Sequence, residues 1–303
     1  MTKARIAVIG AGLMGHGIAQ VFACAGHQVT VYDAFQASLD SLKARIAQNL
    51  RDLGEDPGAV ERVTPIGALA DAVKAADYVV EAAAEDLAIK QKLFAEIESA
   101  VRPDTILASN TSVIPITQIM QGLKRRERAL GTHWWNPPFL VPLVEVIGTE
   151  WTAPAVIERT IALHKAAGKT PVWVKKDVAG FIGNRLQHAL WREAISLVEN
   201  GVCDAATVDT VVKSSFGMRL PVLGPLENAD LVGTDLTLAI HRTVLAEIER
   251  SPRPSPYLEA LVSQGKLGFK SGEGFQVWPE EQQAALRRKV VDRLKASRHP
   301  NND

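Results

Sequence analysis

Cysteine is nearly missing from this chain: its 303 residues include two, Cys24 and Cys203. Two thiols build no disulfide framework, and this pair lacks metal-ligand spacing, so no metal is expected and a reducing cytoplasm suits the composition. An excess of charge of either sign is also missing, with 34 Lys+Arg against 34 Asp+Glu. A neutral chain has no general attraction for a phosphate backbone, which argues against nucleic acid as the main partner. No stretch reaches the ~18 uninterrupted apolar residues of a membrane span, and no internal repeat is found. What is present is an ordinary globular mixture, 47% hydrophobic and 22% charged, unlike a disordered or collagen-like chain. At roughly 150 residues per domain, the length suggests two domains.

The first residues imitate a secretory leader, with Lys3 and Arg5 before an apolar run and Ala23-Cys24-Ala25 in the place of a cleavage site. Gly10, Gly12, Gly15, Gly17, His16 and Gln20 interrupt that run, and a strand–turn–helix reading serves it better. Ile6-Ala7-Val8-Ile9 suits a strand buried on both faces. Leu13, Met14, Ile18, Val21, Phe22 and Ala25 then recur at helical spacing, and Gly26 supplies the stop. Further strands are expected at 28–32, 63–64, 78–80 and 105–108, with helices at 36–53, 68–75 and 86–101 between them. Such alternation predicts a doubly wound, mostly parallel sheet with helices on both faces. Residues 129–132, 143–147 and 171–174 also read as strands. Beyond about 176 the pattern turns helical, with helices expected at 181–199, 204–216, 236–250, 255–264 and 280–297. The expected division is an α/β domain over 1–185 and an all-helical C-terminal domain over 186–303.

Gly10-Ala11-Gly12-Leu13-Met14-Gly15 is a G-x-G-x-x-G fingerprint. Alone it is weak, but here it follows a strand, opens a helix, and has Asp33 at the end of the next strand. The first glycine permits the tight turn, the second lets a pyrophosphate approach the backbone, and the third allows close helix–strand packing. The phosphates would meet unpaired N–H groups at the positive end of the helix. Asp33 would accept from the adenosine ribose and repel a 2′-phosphate. Ala34, Phe35 and Gln36 supply no arginine for such a phosphate, so the expected cofactor is NAD rather than NADP.

Seven blocks occur in order: 10–20, Val-Val-Glu-Ala at 79–82, Glu85-Asp86-Leu87 with Lys90, Ser-Asn-Thr-Ser at 109–112, His133 to Pro137, Leu-Val-Glu-Val-Ile at 143–147, and Gly-Phe-Ile-Gly-Asn-Arg at 180–185. Together they resemble the NAD-dependent L-3-hydroxyacyl-CoA dehydrogenase family, from the first strand to Phe275. The resemblance implies a Rossmann-like domain followed by a helical domain that forms a homodimer, acting on a small-molecule substrate without nucleic acid or membrane.

Oxidising a secondary alcohol with NAD requires hydride transfer to the nicotinamide and a base for the hydroxyl proton. A neutral histidine suits the base role, and a carboxylate on its other nitrogen fixes the tautomer. His133 follows a strand and precedes a loop at Asn136-Pro137-Pro138. Taken alone, it is open between a base and a satisfied structural histidine. Glu145, inside an apolar strand, needs a partner if it points inward. The resemblance implies that these two form the catalytic pair, with Ser112 and Asn184 orienting the substrate. On pattern alone, Ser112 is equally a helix N-cap and Asn184 an ordinary helix residue. Cofactor contacts are implied at Gly10, Gly12, Leu13, Met14, Gly15, Asp33, Glu85, Lys90, Ser112, Asn136 and Lys270. For Glu85 and Lys90 the alternative is a surface pair on a helix.

The departures concern the substrate. Acyl-CoA members carry an extended helical hairpin after the second strand that contacts CoA; here the corresponding segment, 36–64, is short. Its basic residues Lys43, Arg45, Arg51 and Arg62 fit a solvated face. Trp134-Trp135 is bulkier than the usual aromatics, and either narrows the pocket or packs. Ser-Phe-Gly-Met-Arg at 215–219 resembles the small-acid branch, which includes L-gulonate 3-dehydrogenase (lambda-crystallin) and carnitine dehydrogenase. There Arg219 or Arg192 would pair a free carboxylate, unless it forms a structural salt bridge. Three readings follow: a 3-hydroxyacyl-CoA dehydrogenase, the same hydride chemistry on a small free hydroxy acid or alcohol, and a non-catalytic NAD-binding crystallin-like protein.

Overall fold

The computed structural model describes residues 3–298, and the outermost residues of both expected domains lie outside this range. The chain divides into two compact units, one running to Arg185 and taking back the chain from Val291, the other spanning Leu186–Val290. In the first unit the elements run β1 (Arg5–Ile9), α1 (Leu13–Cys24), β2 (Gln28–Tyr32), α2 (Gln36–Asp40), α3 (Leu42–Leu53), β3 (Val63–Pro65), α4 (Leu69–Val73), β4 (Tyr78–Glu81), α5 (Leu87–Ala100), β5 (Ile106–Ser109), α6 (Ile116–Met120), β6 (Ala129–Trp134), β7 (Leu143–Ile147), α7 (Pro154–Ala166) and β8 (Thr170–Val174).

The strands form one sheet in the order β3-β2-β1-β4-β5-β6-β7-β8. Every pairing is parallel except β6 with β7, which is antiparallel. A parallel neighbour requires a crossover helix, whereas the short connection 135–142 permits the antiparallel pair. Period-2 alternation divides the core. Ile6, Val8, Tyr78, Val80, Ile106 and Ala108 face the cluster containing Ile18 and Phe22 of α1, Leu42, Ile46 and Leu50 of α3, and Val156 and Ile157 of α7. Ala7, Ile9, Val79 and Leu107 face the other cluster, with Val73 of α4, Phe94 and Ile97 of α5, and Ile116 and Met120 of α6. The sheet is therefore covered on both sides, which is why its strands read as continuous apolar runs. Strand order reverses between β1 and β4, so the crevice beyond their carboxyl ends is where such a sheet takes its ligand.

The single helix expected over 36–53 breaks at Ser41, whose hydroxyl bonds back to Ala37 O at 2.9 Å and competes with the helical ladder. Helices α6 and α7 were not expected, although Pro154 at the first position of α7 is a start signal.

Helix α8 (Gly183–Glu199) leads into the second unit, which holds α9 (Ala205–Ser214), α10 (Pro225–Val232), α11 (Thr234–Val244), α12 (Pro256–Ser263) and the start of α13 (Glu280–Arg298). Its only strand-like features among the described residues are isolated bridges at Gly268–Glu273 and Glu273–Val277. No residue of α9, α10 or α11 is buried. Among the described residues no helix is long and apolar enough to cross a membrane.

Candidate active site

The glycine turn lies where β1 ends and α1 begins. Gly10 has φ 105°, and a Cβ on it would lie 2.5 Å from Ala82 O; one on Gly15 would lie 1.7 Å from Gly10 O. Neither position admits a side chain. Above Gly12 a Cβ would meet nothing within 4 Å, and no side chain caps α1. The open cradle and the uncapped helix N-terminus fit a pyrophosphate, which would take hydrogen bonds from the first-turn amides. Asp33 braces the turn: Oδ2 accepts from Ala11 N at 2.6 Å and Oδ1 from Phe35 N at 2.8 Å. Each oxygen keeps a lone pair that can accept from a ribose hydroxyl. Arg45, from α3, donates to Ala11 O at 2.6 Å and Ser38 O at 2.9 Å, a brace the sequence did not reveal.

Next to this turn, the ends of β4 and β5 carry a buried ionic network. Lys90 of α5 reaches Glu81 Oε1 at 2.7 Å, with the two side chains 1% and 0% exposed. Ala83 N also donates to Oε1 at 2.7 Å, and Ser109 Oγ donates to Oε2 at 2.6 Å. The same ammonium stands 3.4 Å from Glu85 Oε2. Glu85 Oε1 accepts from Thr111 Oγ1 at 2.6 Å and from Ser112 N at 2.8 Å. Partial burial pushes the Glu85 carboxyl up, but these hydrogen bonds and the Lys90 charge outweigh it and hold it below its ordinary value. The surface-pair alternative for Glu85 and Lys90 is thus wrong. Lys90 is buried, its nearest acid is Glu81, and Glu85 precedes the helix, before the N-cap Asp86. Ser112 is no N-cap either, because Pro115 occupies that position of α6.

His133 and Glu145 are direct cross-strand partners in the β6–β7 register. Directly opposed residues share a face of the sheet, and His133 Nδ1 lies 2.7 Å from Glu145 Oε2 with both groups buried. Glu145 Oε1 accepts from Ile182 N at 2.9 Å and Gly183 N at 3.0 Å, where α8 begins. Desolvation raises the Glu145 carboxyl; the bond to His133 and these two amides lower it by more, so it stays ionised. An ionised carboxylate is acceptor-only, so Nδ1 carries the proton and Nε2 is left as the acceptor. Asn184 Nδ2 donates to Ser112 O at 2.8 Å, joining the start of α8 to the β5 loop. The Ser112 hydroxyl has no hydrogen bond with any described residue.

Of the two adjacent tryptophans, Trp134 packs in the core at 2% exposure. Trp135 lies beside His133 with ring centroids 5.3 Å apart, and its indole N–H is buried without a partner among the described residues. Asn136 is exposed in the following loop. Arg219 and Lys270 belong to the second unit. Arg219 has one long contact, to Asn228 Oδ1 at 3.5 Å, and neither Arg219 nor Arg192 forms a salt bridge with any described residue. Lys270 is exposed in the turn closed by the Gly268–Glu273 bridge.

Residues 5–178 match the profile of the 3-hydroxyacyl-CoA dehydrogenase NAD-binding domain, and residues 180–278 that of the C-terminal domain. The chain belongs to the 3-hydroxyacyl-CoA dehydrogenase family. It is an NAD-dependent dehydrogenase acting on hydroxyl groups. Among its relatives is the 5-formyl-3-hydroxy-2-methylpyridine 4-carboxylate 5-dehydrogenase of Mesorhizobium japonicum, 38% identical over 97% of this chain and 96% of that protein. A crystal structure of a dehydrogenase of that name, described as an NAD⁺-dependent dismutase, superimposes with a TM-score of 0.91 at 36% identity, covering 98% of both chains. The (S)-3-hydroxybutyryl-CoA dehydrogenase of Ralstonia eutropha superimposes with a TM-score of 0.75 at 32% identity, covering 92% of this chain and all of that one.

Proposed function

We propose that this family member oxidises the CH–OH group of a small free carboxylic acid, a hydroxy acid or a hydrated aldehyde acid, rather than a CoA thioester. The observation that carries this reading is the fate of the basic residues after β2. Arg45 and Arg62 are spent on backbone carbonyls, Arg62 on Ala23 O at 3.2 Å. Lys43 pairs with Glu61 at 3.3 Å and Arg51 bonds Gln48 at 2.6 Å. Each cation already has a partner within the protein, which leaves no ready site for the phosphates of CoA. The closer superposition on the pyridine-carboxylate enzyme supports the same reading. Arg219, which forms no salt bridge with any described residue, is the proposed partner for the substrate carboxylate, since guanidinium binds carboxylate in bidentate fashion.

In the proposed chemistry His133 Nε2 takes the hydroxyl proton, while Glu145 holds the tautomer and stabilises the imidazolium. Bound NAD supplies the hydride acceptor. Gly10, Gly12, Leu13, Met14 and Gly15 would hold its pyrophosphate and Asp33 its ribose. Glu85 and Asn136 would line its nicotinamide half. Lys90, at 1% exposure, would act through its ion pairs with Glu81 and Glu85 rather than by touching the cofactor. Ser112 and Asn184 would orient the substrate.

NADH formation should favour a free acid (5-formyl-3-hydroxy-2-methylpyridine 4-carboxylate, 3-hydroxybutyrate, L-gulonate or carnitine) over 3-hydroxybutyryl-CoA by at least about tenfold in kcat/KM. That ratio corresponds to about 1.4 kcal/mol in transition-state binding. Arg219→Ala should raise KM for the preferred acid. A preference for the thioester would sink this reading and restore the acyl-CoA one, which the family's own activity favours.

We also propose that a second copy of the chain covers the uncovered helices of the second unit. Leu226 and Leu231 of α10 are 79% and 70% exposed, beside Val222 at 82%, and apolar surface gathered in this way marks an interaction site. Sedimentation at the mass of two chains is expected; a stable monomer would contradict it.

A further inference from the structure

The turn into α8 has a feature that the sequence motif did not explain. We propose that Phe181 is a positioning residue, whose left-handed backbone and buried ring together hold His133 and Glu145 in register. This inference rests on the reading of that pair as the base. Phe181 has φ 49°, the one positive φ outside glycine among the described residues. A residue with a Cβ stays in that region only where its surroundings over-determine it, and such residues cluster at functional sites.

Here the surroundings act on the ring and on the backbone. The ring is 1% exposed and lies 5.6 Å from the His133 imidazole, tilted by 51°. With Trp135 at 5.3 Å, it gives the imidazole two aromatic neighbours. On the backbone side, Gly180 at φ 73° and Phe181 make a left-handed reversal. That reversal delivers the next two amides, Ile182 and Gly183, to Glu145 Oε1. One residue therefore packs on the base with its side chain and sets two hydrogen bonds of the carboxylate with its backbone. An ordinary negative φ at 181 would swing both amides away and leave one oxygen of a buried carboxylate unpaired, at the cost of the contact to Nδ1. Position 183 admits no side chain, since a Cβ on Gly183 would lie 2.4 Å from Trp135 Cζ2.

The test compares Phe181→Leu and Phe181→Gly with the conservative Phe181→Tyr, reading kcat, KM, NADH affinity and the NMR signal of the His133 Nδ1 proton. Leucine and glycine should lower kcat at least about tenfold, because displacement of a reacting group by about 1 Å can cost about 10²-fold. They should leave KM and NADH affinity nearly unchanged, and shift or lose the Nδ1 proton. Tyrosine, which keeps the ring, should retain most of kcat and the proton signal. A residue needed only for folding would lower the melting temperature and leave kcat per folded molecule intact; that result overturns the proposal. If neither variant folds, amide exchange in the unaltered enzyme decides it: slow exchange at Ile182 and Gly183 supports the held turn, and fast exchange overturns it. His133→Gln is assayed alongside. Turnover retained by that variant means the base reading has failed, whereas an inactive His133→Gln beside a fully active Phe181→Leu removes the Phe181 role alone.

Discussion

His133→Gln is expected to lower kcat by about 10²–10⁴-fold, the usual contribution of a positioned general base, with NADH affinity nearly unchanged. Glutamine has a similar reach and can still bond Glu145, but it has no basic nitrogen to take a proton. Affinity should survive because the glycine turn, Asp33 and the uncapped α1 are separate from the imidazole. Glu145→Gln should reproduce much of the loss. A neutral amide supports the imidazolium less, and it can donate to Nδ1 and so favour the wrong tautomer. Steady-state kinetics with nicotinamide fluorescence separates the two quantities; a His133→Gln enzyme with more than about a tenth of wild-type kcat would remove His133 from the base role.

Lys90→Met should destabilise the first unit by about 3–5 kcal/mol, the range seen when one partner of a buried ion pair is removed. For a unit of this size, that is a fall in melting temperature of roughly 6–20 °C. The cause is Glu81, left charged at 0% exposure with the Lys90 ammonium gone. Ser109 and Ala83 still donate to it, but neither supplies a charge. Adding Glu81→Gln to Lys90→Met removes the stranded charge. The amide oxygen can accept from Ala83 N and the amide NH2 can donate to the Ser109 hydroxyl, which turns to accept, so the double variant should recover most of the loss. A melting temperature for Lys90→Met within about 2 °C of wild type would show that the pair is not structural in this sense.

The sheet was legible because strands buried on both faces leave apolar runs, and the glycine turn because close backbone approach at Gly10 and Gly15 admits no other residue. The arrangement of His133 and Glu145 was not derivable from pattern alone. It depends on β7 running antiparallel to β6, and the direction of a strand is not written in its own residues. Glu81 sat unnoticed in Val-Val-Glu-Ala, although an acid ending a buried strand signals a missing cation. Arg45 and Arg62 fitted a solvated face, yet each reaches a backbone carbonyl across the fold. The amides that hold Glu145 depend on a positive φ at Phe181, a conformation that a phenylalanine gives no reason to expect.

Whether His133 Nε2 takes the proton can be read from a single turnover, with enzyme and NAD in excess over the acid substrate and both NADH absorbance and a pH indicator followed. The unaltered enzyme should form NADH in a fast phase and release one proton for each hydride moved. In His133→Gln both signals should slow together by about 10²–10⁴-fold. NADH forming in that variant at close to the unaltered rate would mean that the proton leaves by another route and that the paired imidazole is a structural element.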